Sequence, residues 1–306
     1  MLSRDLAIIG GGPAGLAAGI YAARADLKTV LFEQGMPGGL AASTEIIENY
    51  PGFKDGIGGP ELSMSMEGQA RRFGLEIAYT PVEKVSRGEK GFILETDDNE
   101  FNAGAVIIAS GAKPKLLGVK GEKEFHGRGV SYCATCDGAL FRDKRLIVVG
   151  GGDSAVEEAL FLTKFAEKVT IVHRRGELRA VKYLRQKASE NEKIDFIWHG
   201  VLVEIKGDDV VRGVEVKDIR DGSVREVSAD GVFVYVGHTP SSELVSGLVD
   251  FDEKGYIITD ENMKTKTAGL FAAGDIRSKM LRQVVTAVAD GAIAAVSAEK
   301  YLEGIK

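Results

Sequence analysis

The sequence predicts an α/β fold made of two copies of one strand, turn, helix and strand unit, the second copy inserted within the first. Three observations predict it. First, the 306-residue chain repeats a pattern: LAIIGGGPAGLAAGIYAARADLKTVLFEQ from Leu6 and LIVVGGGDSAVEEALFLTKFAEKVTIVHR from Leu146 both read as apolar run, glycine turn, helical stretch and apolar run. Second, the runs that open the copies, Leu6 to Ile9 and Leu146 to Val149, are apolar without alternation, as strands buried on both faces of a parallel sheet are. Third, strand-like segments ending in Gly-Pro turns flank the second copy. AVIIASGAKP (Ala105 to Pro114) leaves the first unit and GVFVYVGHTPSS (Gly231 to Ser242) leaves the second. The chain then returns with GLFAAGDI and a long amphipathic helix from about Arg282. Residues 1–114 and 244–306 are therefore expected to form one discontinuous domain, and 115–243 the other.

The glycine turns carry the chemistry. Gly10, Gly12 and Gly15 stand between a strand and a helix. In that context the first glycine makes the tight turn, the second admits a pyrophosphate and the third lets helix approach strand. Pro13 and Ala14 complete GGGPAG, with Pro13 suited to a first helical turn. Gly150, Gly152 and Ala155 repeat the arrangement, and Asp153 and Ser154 open the second helix. Both units thus read as Rossmann-like dinucleotide-binding domains, with aligned N–H groups at each helix start to receive the anion.

The ends of the second strands, TVLFE and VTIVH, separate the two sites. Glu33 is placed to accept from the ribose hydroxyls of an adenosine. The equivalent residue in the second copy is His173, which opens HRRGELR. An acid there would repel a 2′-phosphate, whereas Arg174, Arg175 and Arg179 attract one through charge-assisted hydrogen bonds. A solvated basic face is the plain alternative. The economical assignment is FAD in the first site and NADPH in the second, because a flavin accepts hydride and passes electrons onward.

Composition narrows the partners. A hydrophobic content of 44% supports two full cores, and the formal charge of -6 gives no footprint for a nucleic acid. No apolar run reaches bilayer length, and MLSRDLAIIGGGPAG lacks a signal-peptide pattern, so the expectation is a soluble, cytoplasmic protein that engages no membrane. Cys133 and Cys136 are the only cysteines, spaced C-x-x-C and followed by Asp137. A structural disulfide, half of a metal site and a redox-active pair compete for them. The four histidines, His126, His173, His199 and His238, form no H-x-x-x-H and there is no second C-x-x-C, so no metal is expected. As a redox pair the cysteines would drain electrons from the flavin, with Asp137 assisting proton transfer; a turn role for Asp137 before Gly138 stays open.

Between the crossings, IDFIWHG, VLVEIKG and VVRGVEVKDI read as an antiparallel meander. GIGGPELSMSMEGQARRFG reads as a turn and a helix, with Met64 and Met66 expected to pack in the core.

Taken in order, GGGPAG with Glu33, MPGG, ENYPGF, CATCD, GGGDSA with HRRGELR, and FAAGDI with a following RQ cover essentially the whole chain. The set resembles low-molecular-weight, prokaryotic-type NADPH-dependent thioredoxin reductases. The resemblance implies that Cys136 faces the flavin, that Cys133 attacks the disulfide of thioredoxin or a thioredoxin-like protein, and that Asp137 is the proton donor and acceptor. It also implies a homodimer and a rotation of one domain against the other, with hinges near Lys113 to Leu117 and Thr239 to Glu243. Asn49 and the loop of Gly38, Gly39 and Leu40 are implied near the flavin, as is Asp275, with Gly274, near its ribityl or phosphate portion. Arg282 and Gln283 would start the final helix, aimed at the isoalloxazine. Two departures stand out: Leu40 replaces a glutamine, removing a polar contact near the flavin, and Ala109, Ser110 and Gly111 replace Ala-Thr-Gly. A ferredoxin-driven relative, a reductase of another disulfide acceptor and a non-catalytic NADPH or redox sensor are the alternatives.

Overall fold

Uninterrupted apolar strands need cover on both faces, and the structure supplies it in each of two units, Met1–Lys113 with Thr239–Lys306, and Pro114–His238. The structure is a computed structural model that describes residues 2–44 and 46–305.

In the first unit β1 (Leu2–Ile9) lies parallel between β2 (Thr29–Phe32) and β6 (Glu100–Ile108), with Ile8 level with Leu31 and Ile107. Leu6 and Ile8 pack under the helices α1 (Pro13–Arg24), α2 (Gly59–Arg72) and α6 (Val284–Ile305). Ala7 and Ile9 face the other way, in a core with Leu94, Val245 and Ile257. β3 (Glu76–Ala78) extends the sheet beyond β2. The nine residues of β6 serve two partners along one edge. Phe101 and Ala103 pair with antiparallel β5 (Phe92–Glu95), itself joined to β4 (Lys84–Arg87), and Val106 to Ile108 pair with parallel β17 (Leu270–Ala272). Alanine and glycine dominate α1 and α6 for a steric reason: a Cβ on Gly291 would lie 2.0 Å from the Ala14 carbonyl oxygen. Met66 packs in this core as expected, but Met64, expected there too, is 67% exposed. Two positions along a helix cannot share one face.

In the second unit the parallel sheet runs in the order β11 (Ile194–Trp198), β10 (Lys168–His173), β9 (Arg145–Gly150), β15 (Gly231–Tyr235), β8 (Val130–Ser131). The helices α4 (Asp153–Leu162) and α5 (Lys182–Glu190) cover one face, where Val148, Ile171 and Phe233 are buried. An antiparallel sheet of β12 (Gly200–Gly207), β13 (Val211–Asp218) and β14 (Val224–Ser228) covers the other. The meander therefore lacks the segment IDFIW, which pairs in parallel with β10 instead. As an edge strand it keeps a charged residue, Asp195, exposed and ion-paired to Lys168 at 3.0 Å, so its sequence reads like a surface strand.

The chain crosses between units through β7 (Ala112–Pro114) and β16 (His238–Pro240), which pair with each other. Ser241 donates its N–H to the Gly111 carbonyl at 3.0 Å, and Val245 is fully buried in the first core. These contacts place the second crossing a few residues earlier than the sequence reading puts it. Among the described residues no helix is long and apolar enough to cross a membrane.

Candidate active site

The first glycine turn is fixed by close backbone approach. Gly10 has φ +108°, and a Cβ there would lie 2.4 Å from the Ala109 carbonyl oxygen; a Cβ on Gly15 would lie 1.8 Å from that of Gly10. Gly12 caps α1 without a side chain, and the nearest atom to a Cβ there would be 4.0 Å away, so the N–H groups of the first turn, beside Pro13 and Ala14, keep room for an anion. The Glu33 carboxylate accepts from Gly11 N–H at 2.8 Å and Gly35 N–H at 3.0 Å. That fixes its orientation and leaves lone pairs for a ribose diol. The residues present thus fit an adenosine dinucleotide. Gly38 donates to the Gly11 carbonyl at 2.8 Å, bringing Gly39 and the half-exposed Leu40 beside the turn. Asn49, further along the chain, donates to Gln283 at 3.0 Å, just before the start of α6. The Arg282 guanidinium sits 3.8 Å from the centre of the Tyr256 ring.

Behind this turn lies a group that sequence reasoning missed. Asp290 of α6 accepts from Gly274 N–H at 3.1 Å, from Arg277 at 3.0 Å and from Lys279 at 3.0 Å, and Lys279 also lies 3.6 Å from Asp275. The side chains of Arg277, Lys279 and Asp290 are 12%, 10% and 10% exposed. The cluster pins the Gly274–Ile276 turn, and with it Asp275, to α6.

The second turn is built alike, with differences that matter. A Cβ on Gly150 would lie 2.5 Å from the Tyr235 carbonyl oxygen and 2.6 Å from the Ala155 Cβ. Gly152 caps α4 with no side chain, Ser154 is exposed, and Asp153 accepts from Val181 N–H at 2.8 Å. Arg179 donates its N–H to the Gly151 carbonyl at 2.6 Å, which folds the HRRGELR segment against the turn. Arg174, Arg175 and Arg179 are exposed there, whereas His173 is buried beneath Gly151, where a Cβ would lie 2.4 Å from its Nδ1. Burial, with the charges of Arg179, Arg175 and Arg174 adding to it, holds the imidazole below its ordinary pKa. His173 is thus neutral support for the turn, set apart from the arginines that follow it.

Cys133 and Cys136 are bonded to each other, with an S–S distance of 2.05 Å. Among the described residues no three His, Cys, Asp or Glu side chains converge as a metal site would require. Cys133 caps the short helix α3 (Ala134–Asp137), and Cys136 directs its N–H at the Cys133 sulfur, 3.1 Å away. Cys136 is exposed and Cys133 half-buried. Asp137 accepts from the Ser131 hydroxyl at 2.7 Å, and that same oxygen accepts from Cys133 N–H at 3.0 Å. From β15 the Tyr235 hydroxyl accepts from Ala134 N–H at 2.8 Å; burial and then Glu158 hold its pKa well above the usual phenol range. An accessible pair beside an acid and a polar backbone frame can, once reduced to two thiols, pass two electrons and two protons to a second disulfide and close again.

The sequence matches the family model of the pyridine nucleotide-disulphide oxidoreductases over residues 4–291. It is 54% identical over 305 residues to a thioredoxin reductase of Peptoclostridium litorale, covering 98% of this chain and 97% of that one. It is 51% identical over 303 residues to a thioredoxin reductase of Bacillus subtilis, covering 99% and 96%. The crystal structure of Lactococcus lactis thioredoxin reductase in its FR conformation is similar with a TM-score of 0.96 at 49% identity, covering 98% of this chain and 99% of that one. With two glycine-turn units and a bonded C-x-x-C pair, the chain belongs to the pyridine nucleotide-disulphide oxidoreductases, in the low-molecular-weight, prokaryotic-type thioredoxin reductase branch.

Proposed function

We propose that this protein is an NADPH-dependent thioredoxin-disulfide reductase, using FAD in the first unit and NADPH in the second. The single observation that carries the reading is the bonded Cys133–Cys136 pair in the unit whose glycine turn is faced by Arg174, Arg175 and Arg179. FAD, when bound, supplies a two-electron carrier between a nicotinamide and a disulfide. The chain's own residues do the rest. Gly10, Gly12, Gly15 and Glu33 receive the pyrophosphate and ribose of FAD. Gly39, Leu40, Asn49, Gly111, Asp275, Arg282 and Gln283 frame the remainder of that cofactor. Gly150, Gly152, Asp153, Ser154 and Ala155 hold the pyrophosphate of NADPH, and the three arginines its 2′-phosphate. Cys133 attacks the partner disulfide, Cys136 closes the bond behind it, and Asp137 carries a proton for the pair.

The names of the relatives support thioredoxin, or a thioredoxin-like protein, as the acceptor, and the two-cysteine composition suits work in a reducing cytoplasm. A homodimer is the assembly we propose. The test is an anaerobic titration of the purified flavoprotein with NADPH, followed by turnover with thioredoxin. A flavin plus a disulfide takes up about four electrons per chain, and flavin alone about two. Uptake of two, or full thioredoxin turnover after both cysteines are changed to serine, overturns the proposal.

A further inference from the structure

The geometry points to Ser131 as the positioning residue that ties Asp137 to the Cys133 end of the disulfide and so fixes how the acid meets the proton that the pair exchanges. The inference rests on the Cys133–Cys136 disulfide being the working couple. Ser131 ends β8 and is 3% exposed. Its oxygen lies 2.7 Å from Asp137 Oδ2, 3.0 Å from the Cys133 nitrogen and 3.2 Å from the Cys133 carbonyl oxygen. A hydroxyl has one proton to give. The short contact to a carboxylate, which when ionised can only accept, assigns that proton to Asp137, and the lone pairs then receive the Cys133 N–H. One buried oxygen therefore bridges the acid and the backbone of the sulfur residue.

The surroundings explain why this bond matters. From β15, Tyr235 keeps its phenol protonated and spends its oxygen on Ala134 N–H. From α4, Glu158 faces Tyr235. The turn Gly138–Phe141 that follows holds no titratable side chain, and α3 with its cap Cys133 adds, besides Asp137, only the two cysteines. Opening the disulfide breaks one S–S bond, takes up two electrons from NADPH, as proposed above, and needs two protons to end as two thiols. Closing it on an acceptor disulfide returns both electrons and both protons to the acceptor's sulfurs. A donor fixed on Asp137 Oδ2 holds the carboxylate in one orientation beside the Cys133 backbone, so the acid is in place before the proton moves.

Turnover with NADPH and thioredoxin is measured across the pH range of stability for wild type, Ser131→Ala, Ser131→Thr, Asp137→Asn and the Ser131→Ala/Asp137→Asn double variant. Iodoacetamide alkylation of the dithiothreitol-reduced pair is followed over the same range. Ser131→Ala is expected to lower kcat about tenfold, and the alkylation rate of the reduced pair with it, while the KM for thioredoxin stays unchanged, as the loss of one hydrogen bond that orients a charged group implies. Ser131→Thr, which keeps the hydroxyl, should stay near wild type, and the double variant should match Asp137→Asn alone. Flavin content and melting temperature check folding; if Ser131→Ala does not fold, Ser131→Val, which also lacks the hydroxyl and suits a strand, takes its place. Rates equal to wild type in both assays, or an equal further loss in the Asp137→Asn background, overturn the inference. Absence of thioredoxin turnover in the wild type would instead sink the functional reading, and the alkylation profiles would still decide the role of Ser131.

Discussion

Replacing Asp290 by alanine tests whether the buried charge cluster holds the first site together. The carboxylate accepts three hydrogen bonds, two of them from cations that are themselves nearly buried. Its removal strands Arg277, Lys279 and the Gly274 amide at once. Breaking a buried ion pair by deleting one partner costs ~3–5 kcal/mol. Here Lys279 keeps Asp275 at 3.6 Å and Arg277 keeps the Thr259 hydroxyl at 2.9 Å. The expectation is therefore the lower end, about 3 kcal/mol. Asp290→Asn keeps the shape and one acceptor and should cost roughly half as much, about 1.5 kcal/mol. The assay is urea unfolding followed by circular dichroism at a fixed excess of FAD, since bound flavin adds to apparent stability by mass action. Because the Gly274–Ile276 turn is released, flavin affinity should fall at least tenfold, which is about 1.4 kcal/mol. A change below about 0.5 kcal/mol, the range of ordinary surface substitutions, would show that the cluster is solvated and holds nothing.

Three other outcomes follow from the geometry. Gly15→Ala places a Cβ 1.8 Å from the Gly10 carbonyl oxygen and should lose ~2–3 kcal/mol and most bound flavin, whereas Gly68→Ala on α2, with no neighbour within 4 Å, should gain about 0.5–1 kcal/mol; both are read by urea unfolding. His173 has a folded pKa below its ordinary 6.5, so the unfolded chain takes up a proton first as pH falls. Stability from this group is complete above 6.5 and drops below it by up to about 1.4 kcal/mol per pH unit, down to the folded pKa; His173→Asn should remove that slope in unfolding curves at different pH. Arg174→Ala with Arg175→Ala should raise the Michaelis constant for NADPH about tenfold or more and leave that for NADH nearly unchanged, and equal effects on both cofactors would count against a 2′-phosphate reader.

The parts of the fold that local chemistry dictates were readable in the sequence. The unalternating runs at Leu6 and Leu146 became central parallel strands, and the glycine spacings became the turns where a Cβ has no room. The cysteine spacing alone did not choose among a staple, a metal half-site and a redox pair; the bonded sulfurs and the family match did. What the sequence hid depends on contacts between distant residues. Asp290 looks like one charge on an amphipathic helix, and nothing near it in the chain announces that Arg277 and Lys279 converge on it. Ser131 looks like a strand-end serine until its hydroxyl is seen between Asp137 and Cys133. His173 sits beside arginines in the sequence, yet as the last residue of β10 it is buried under Gly151, while the arginines lie past the strand end and stay outside.

The pairing of β7 with β16 bears on how the polypeptide is made. β17 must find the far half of β6, but residues 114–238 leave the ribosome between them. Closing an open loop of that length costs about 4 kcal/mol in chain entropy. Once the intervening piece has folded and its two ends lie side by side, that span behaves as a short connector. Synthesis order and topology together therefore favour maturation of the inserted piece before the surrounding sheet is completed.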